Sequence, residues 1–349
     1  MNSQPLRGRT IRRTLLVPVF CAMLVQAVLY LFVFLEGSVL TQTDANAFYI
    51  LNERTLNRKF YLENEMIHSW SSIEDWEHAV LVEIRETLDE AGAFPADIRE
   101  DAALNEKIVK NSAKALIPML RKTGATGAFL VLDGAAAEEP ARESLRAGLY
   151  IRDPDPDNYS VNNADLLIER GPASISEEHL IPLGPHWNAS FRFGSGTEEK
   201  DQFFFQPRNA ALNSGDRDDG DFGYWSRAFS FSEAEPRIIT YSLPLIADDG
   251  TVIGVLGVDI TQSYLTSLLP FEELSADRSG GYLLAVTDPE KSTGETTVYQ
   301  RIFSSDPVLS DHFGEADTVE GRAGDYDSII NLTSLKHPNT TVYGSVQKL

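Results

Sequence analysis

The run Asp216-Arg217-Asp218-Asp219-Gly220-Asp221 has the acidic spacing of a calcium loop. Such a loop needs glycine at its sixth position and a bidentate glutamate at its twelfth. Here Gly220 falls one place early and the twelfth position is Arg227, so a solvated acidic turn is the default reading. Asp153-Pro154-Asp155-Pro156-Asp157 reads likewise as a rigid acidic turn. His68, His78, His179, His186, His312 and His337 have no metal-ligand spacing. No nucleophile elbow, phosphate-binding loop, zinc-protease helix or dinucleotide fingerprint is present. A membrane-anchored surface hydrolase built on paired carboxylates stays open as an enzyme reading, but no pattern in the chain pairs two of them; an adhesion or structural surface protein is the other alternative. No cofactor is expected. What remains is the chemistry of binding.

The elements that would position a binding site begin at a membrane. Residues 14–35 carry no charge and follow Arg7, Arg9, Arg12 and Arg13. About 20 apolar residues cross a bilayer core as a helix, and the basic flank belongs on the cytoplasmic side. The N-terminus is therefore expected inside, with residues from Glu36 onward outside. A cleaved secretory signal is the alternative; its apolar stretch is shorter, and Glu36-Gly37-Ser38 is a poor cleavage site. All 52 acidic residues lie at or after Glu36, where they face 26 of the 30 basic ones. Such a surface repels nucleic acid and anionic lipid, so neither is an expected partner. The one cysteine, Cys21, lies in the apolar helix, so the exported part must be held by its core rather than by disulfides.

Residues 38–70 contain no Pro or Gly and read as a long helix. A second helix starts at Ser72, where Ser72-Ile73-Glu74-Asp75 resembles a capping box, and runs to a C-cap at Gly92. Were residues 38–90 one continuous helix, they would reach about 80 Å. Residues 101–121 fit a third helix. The texture then changes to strands at 125–133, 147–153, 237–246 and 252–260. The last two are joined by a turn containing Asp249-Gly250. Residues 153–220 are long, polar and rich in turn residues, and carry the patch Phe203-Phe204-Phe205. A segment of that kind reads as a functional loop or cap. A short helix at 263–269 and strands at 281–287, 297–303 and 340–347 complete the chain. The fold class expected is α/β (α+β).

The order of apolar anchor, long helix, larger α/β lobe and smaller α/β lobe resembles the double Cache extracellular sensor domains of bacterial receptors. The carrying residues run from Tyr224 to Ile260, and above all ITYSLPLIADDGTVIGVLGVDI, residues 239–260. The resemblance implies two PAS-like lobes with antiparallel sheets. It divides the chain into a cytoplasmic tail (1–13), a membrane helix (14–36), stalk helices (37–91), a membrane-distal lobe (92–262) and a membrane-proximal lobe (263–349). It implies sensing of a small molecule, amine or amino-acid-like, in the distal lobe. The stalk helix is expected to make the receptor a homodimer, with an apolar stripe too irregular for a coiled coil. Family receptors continue into a second membrane helix and a cytoplasmic output, with a histidine kinase or diguanylate cyclase favoured here. On that pattern this sequence is expected to be a fragment or a truncated receptor, and no catalysis is expected within it.

In amino-acid-binding members an aspartate of the last distal strand holds the ligand amino group. Asp259 takes that place, as an exposed carboxylate at a strand end; the alternative is that it caps the following helix. The family's carboxylate-binding Arg stands two residues before an aromatic pair. Here Asp201 or Gln202 stands before Phe203-Phe204 or Phe204-Phe205. The later Trp-Ser-x-Pro-Tyr-x-Asp pattern becomes Trp225-Ser226-Arg227-Ala228-Phe229-Ser230-Phe231. These departures put ordinary amino-acid binding in doubt. The candidate ligand residues are Asp259, Tyr241, Trp225, Arg227, Phe229 and Phe204. Tyr241 and Trp225 are read equally well as core, and Arg227 as a surface residue.

Overall fold

A computed structural model describes residues 11–35, 38–136, 144–158, 160, 162–214, 222–274, 280–306, 313, 318–324, 329–333 and 342–348. The acidic run 216–221, His312 and His337 lie outside the described residues. Helix α1, Ile11–Leu35, contains the window Leu16–Val33 with a mean hydropathy of 2.4 and nothing of it buried. A helix apolar on every side, with none of that window buried, is long and apolar enough to cross a membrane.

Helix α2, Ser38–Asn64, is followed by one π-helical stretch, Glu65–Trp70, and then by a break. The Ser71 amide donates to the Met66 carbonyl at 2.9 Å and the Ile73 amide to the Ser71 carbonyl at 2.9 Å. This tight turn buries Trp70 and Ile73 together. The stalk is thus a leg of about 50 Å over residues 38–70, followed by a turn and a separate second helix, as expected, rather than one continuous rod. The capping box at Ser72 does not form. Helix α3, Glu74–Ala91, has Ile73 at its N-cap without a side-chain bond, and Ser72 is exposed. The burial of Ile73 outweighs the cap. At the other end Gly92 adopts φ +65, as its place after an amphipathic helix predicts. Helix α4, Ala102–Thr123, is capped by Asp101, whose Oδ1 accepts from the Leu104 amide at 2.9 Å.

The larger sheet has eight strands. They are β1 Gly127–Ala135, β2 Leu145–Arg152, β3 Leu167–Arg170, β4 Leu183–Asn188, β5 Phe191–Arg192, β6 Tyr224–Trp225, β7 Ile238–Ile246 and β8 Val252–Thr261. Their order is β4-β3-β2-β1-β8-β7-β6, with β5 on β2. Pairing is antiparallel except between β3 and β4. The β7–β8 hairpin closes through Ala247 and Thr251, with Gly250 at φ +80. One face of the sheet packs Leu130, Leu149, Leu256 and Val258 against Ile84, Ile108 and Leu116 of α3 and α4. The other face carries a separate aromatic cluster.

The segment expected to be a long loop instead contains β3, β4, β5, helix α5 (Ser174–His179) and helix α6 (Gln202–Asn213). The triple phenylalanine sits on α6, with Phe203 and Phe204 wholly buried. Helix α7, Gln262–Ser267, leads out of β8; its N-cap is Thr261, whose Oγ1 accepts from the Tyr264 amide. The smaller sheet runs β13-β12-β11-β10-β9, antiparallel throughout. Its strands are β9 Leu283–Asp288, β10 Thr296–Ser304, β11 Thr318–Ala323, β12 Ile329–Thr333 and β13 Val342–Ser345. The fold is therefore α+β, with an apolar N-terminal helix, a long helix and two largely antiparallel sheets.

Helix α2 touches both sheet units. Asn52 Oδ1 accepts from Ser345 Oγ at 2.7 Å and from Gln347 Nε2 at 3.0 Å, and Phe48 packs on Tyr343 with ring centroids 5.4 Å apart. Arg58 pairs with Glu273 and donates to the Leu268 carbonyl at 3.0 Å, in the connector between the sheets. Farther along, Leu62 enters the core of the larger unit.

Candidate ligand site on the larger sheet

Residues directly opposite one another in an antiparallel sheet share a face. The register places Thr240, Asp259, Gly127 and Arg152 in one row across β7, β8, β1 and β2. The next row on that face is Ser242, Gly257, Phe129, Tyr150 and Arg170. This is the face away from α3 and α4. Gly127 is the hollow between Asp259 and Arg152, since a Cβ there would overlap the Asp259 carboxylate and the Tyr150 ring. Gly257 likewise makes room for the Phe129 ring.

The polar groups of these rows are buried. Thr126 Oγ1 donates to Asp259 Oδ1 at 2.9 Å; Asp259 Oδ2 makes no such bond among the described residues, although the Tyr150 hydroxyl interacts with this carboxylate. Arg152 donates to Glu169 Oε1 at 3.0 Å and to the Tyr150 hydroxyl at 2.9 Å. Burial raises the carboxyl pKa of Asp259 against the pull of Arg152. Burial, then the Asp259 charge, also lifts Tyr150 well above the ordinary phenol value. Arg170 reaches sideways, donating to Glu235 Oε1 at 2.7 Å, with its guanidinium carbon 4.4 Å from the centroid of Phe231. Arg170 Nη1, Glu235 Oε2 and Glu169 Oε2 have no hydrogen-bond partner among the described residues.

Phenylalanines close over this floor. Phe203 is the hub, 5.0 Å from Phe129, 5.6 Å from Phe229 and 5.5 Å from Phe231 between ring centroids. Phe193 stacks on Phe204 at 4.8 Å. Offset and edge-to-face contacts of this kind are favourable beyond the area they bury. Beside the cluster opens a cleft of about 850 Å³, walled by Arg170, Glu235, Phe231, Phe193, Trp187 and Arg192 among others. Asp259 is not part of its wall.

The structure brings three of the six sequence-derived ligand candidates to one face. Asp259 is in the floor, and Phe229 and Phe204 are in the cluster above it. Asp259 is 0 % exposed, so the expectation of an exposed carboxylate is corrected. Nor does it cap the next helix, because Thr261 does. Trp225 and Tyr241 lie opposite each other on β6 and β7, with rings 5.1 Å apart, and pack into the core on the helix side. Tyr241 follows Thr240 by one residue, and the period of a strand is two, so the two side chains point to opposite faces. Arg227 is exposed in the turn between β6 and β7. Tyr150, Arg152, Glu169, Arg170, Thr240 and Glu235 were not singled out from sequence. The signal for Arg152, Glu169 and Arg170 is charge inside otherwise apolar strands, in AGLYIRD and LIER. Among the described residues no cluster of His, Cys, Asp and Glu is arranged to hold a metal ion.

No family model and no curated protein matches this chain. Solved structures do resemble it. The ligand-binding domain of the Campylobacter jejuni chemoreceptor Tlp3, in complex with 4-methylisoleucine, is 14 % identical, with 85 % of this chain and 88 % of that one covered and a TM-score of 0.35. The periplasmic sensory domain of the Campylobacter jejuni chemoreceptor Tlp1 is 11 % identical over 74 % and 73 % of the two chains, with a TM-score of 0.33. The extracellular domain of the putative histidine kinase soHK1S-Z6 is 15 % identical over 79 % and 89 %, with a TM-score of 0.28.

Proposed function

We propose that this chain is the extracellular sensory region of a bacterial transmembrane receptor of the double Cache type. The larger unit, residues 92–262, is the membrane-distal lobe, and the face of its sheet that bears the cleft takes a small molecule. Residues 263–349 form the membrane-proximal lobe, α1 is the anchor, and residues 1–13 stay in the cytoplasm. The chain itself performs no catalysis. It passes its signal to an output of the histidine kinase or diguanylate cyclase type, and works as a homodimer.

One observation carries this reading: a single helix, α2, leaves the apolar helix α1 and is fastened to both sheet units. A ligand that changes the larger unit therefore acts on the element nearest the membrane. Such action requires different ligand affinities in two conformations, and Arg58 sits where they would differ. It is held by Glu273 and Leu268, in the connector that follows the last strand of the larger sheet.

Thermal unfolding of the full chain in detergent, against a metabolite panel of amino acids, amines, organic acids, purines and sugars, tests the proposal. A ligand at 100 times its dissociation constant stabilises by roughly 2.7 kcal/mol. Stabilisation by one chemical class supports a sensor. A flat response across the whole panel sinks small-molecule sensing and leaves a partner protein as the stimulus.

A further inference from the structure

Resting on that reading, we propose that the ligand is a small organic carboxylate held in the outer cleft by Arg170, Arg192 and Lys200. In this view the inner row around Asp259 is a sealed structural element that no ligand enters.

The inner row is roofed by rings, although Asp259 Oδ2, Glu169 Oε2, Arg152 Nε, Thr240 Oγ1 and Ser242 Oγ have no hydrogen-bond partner among the described residues. Arg152 is spent on Glu169 and Tyr150, and Asp259 takes a bond from Thr126. Phe203, Phe204 and Phe229, each at most 5 % exposed, occupy the space above. An amine would have to displace packed rings to reach Asp259.

The outer cleft has the opposite character. Its charged wall is Arg170, Arg192, Lys200 and Glu235, in a chain with 52 acidic and 30 basic residues. Arg170 pairs with Glu235 at 2.7 Å and Lys200 with the neighbouring Glu198 at 3.0 Å, so the excess is one positive charge, that of Arg192. A local excess of positive charge against so acidic a background selects anions and repels amines. Arg192 is exposed on β5 and makes no side-chain bond with the described residues. Arg170 is 6 % exposed and Glu235 also 6 %. Their ion pair leaves one guanidinium nitrogen and one carboxylate oxygen unbonded. Buried polar groups ordinarily find partners. A carboxylate oxygen answers the first, and a neighbouring hydroxyl or N–H answers the second. Phe193, Phe231 and Trp187 supply an apolar wall for the rest of the molecule. The class is thus a net-anionic carboxylate with an adjacent donor and a flat or apolar body.

Mandelate has each of these features; mandelamide lacks the charge, and benzylamine reverses it. Isothermal titration of the full chain in detergent is expected to show binding of mandelate, at least tenfold weaker binding of mandelamide, and none of benzylamine. Loss of one charge-assisted hydrogen bond corresponds to roughly tenfold or more in affinity. Arg192→Gln, at an exposed position, should therefore weaken mandelate about tenfold. Asp259→Asn should leave mandelate binding unchanged. Arg170→Gln strips Glu235 of a buried partner and threatens the fold, so Arg192 carries the test. Three results overturn the proposal: no mandelate binding at millimolar concentration, equal binding of mandelamide, or a loss with Asp259→Asn that Arg192→Gln does not share. Benzylamine binding that depends on Asp259 would overturn it while leaving the sensor reading intact. Only a panel on which nothing binds ends that reading.

Discussion

Phe203→Ala is the perturbation that most directly probes how the larger sheet is closed. The side chain is 0 % exposed and touches five other phenylalanine rings, with centroid separations from 5.0 Å to 6.3 Å. Truncating a buried phenylalanine costs about 3–5 kcal/mol, and the cost rises with the cavity that fails to collapse. The surrounding rings are rigid, and two of them, Phe129 and Phe191, are fixed on central strands or their partners, so collapse is limited and the upper half of that range is expected. Phe205→Ala is the control, since that ring is only partly buried at the edge of the cluster. Its loss should cost less than half as much. Urea unfolding of both variants by tryptophan fluorescence gives the difference. A cost under about 1 kcal/mol for Phe203→Ala, or equal costs for the two variants, would refute the idea that packed rings seal the floor.

Other outcomes follow from the same geometry. Glu77, in the first turn of α3, has its pKa raised from 4.5 to about 7 by burial and then by Glu74. That shift corresponds to about 3 kcal/mol and outweighs the helix dipole, which favours the anion by about 0.3–1 kcal/mol. The stability from protonated Glu77 is present in full below pH 4.5 and lost as pH rises through 7. Glu77→Gln should match wild type near pH 4.5 and exceed it by about 2–3 kcal/mol above pH 8, as read from unfolding midpoints; parallel pH profiles would contradict this. Arg121 ties α4 to the acidic turn through Asp153 at 2.7 Å and Asp165 at 2.6 Å. Arg121→Ala leaves Asp153 buried without its cation, and should cost about 3 kcal/mol with faster amide exchange over residues 153–166. Gly127→Ala forces a Cβ into the Asp259 carboxylate and should lower the thermal midpoint sharply, whereas Gly294→Ala, in open space, should not.

Much of the fold was legible in the sequence because its signals are local. The apolar run fixed α1, the apolar stripe ending at Gly92 fixed α3, and alternation with Asp-Gly fixed the β7–β8 hairpin. The failures occurred where tertiary burial overrode a local preference. Ser72 offers a cap, but burying Ile73 and Trp70 sets the turn instead. The polar texture of 153–220 hid two short helices and three strands, because single apolar residues such as Ile168, Ile175 and Phe191 are enough to anchor elements that short. The candidate site was half legible. Asp259 and the phenylalanines follow from a motif. That Tyr241 faces the other side follows only from register, and the pairing of Arg170 with Glu235, 65 residues apart, follows from neither pattern nor spacing.

The strand at the centre of the larger sheet waits for its neighbour. β1 lies between β2 and β8, and Thr126 and Asp259, whose side chains bond, are 133 residues apart. At about 5–20 residues per second of synthesis, roughly 7–27 seconds pass before β8 exists. Through that interval β1 has one edge unpaired, and its run of fully buried apolar residues has no cover. The long-range pairing makes closure a late event that requires nearly the whole of residues 92–262. Cells producing this chain should therefore depend on holding it unfolded until β8 arrives, and chains cut short before residue 252 should aggregate rather than form a smaller sheet.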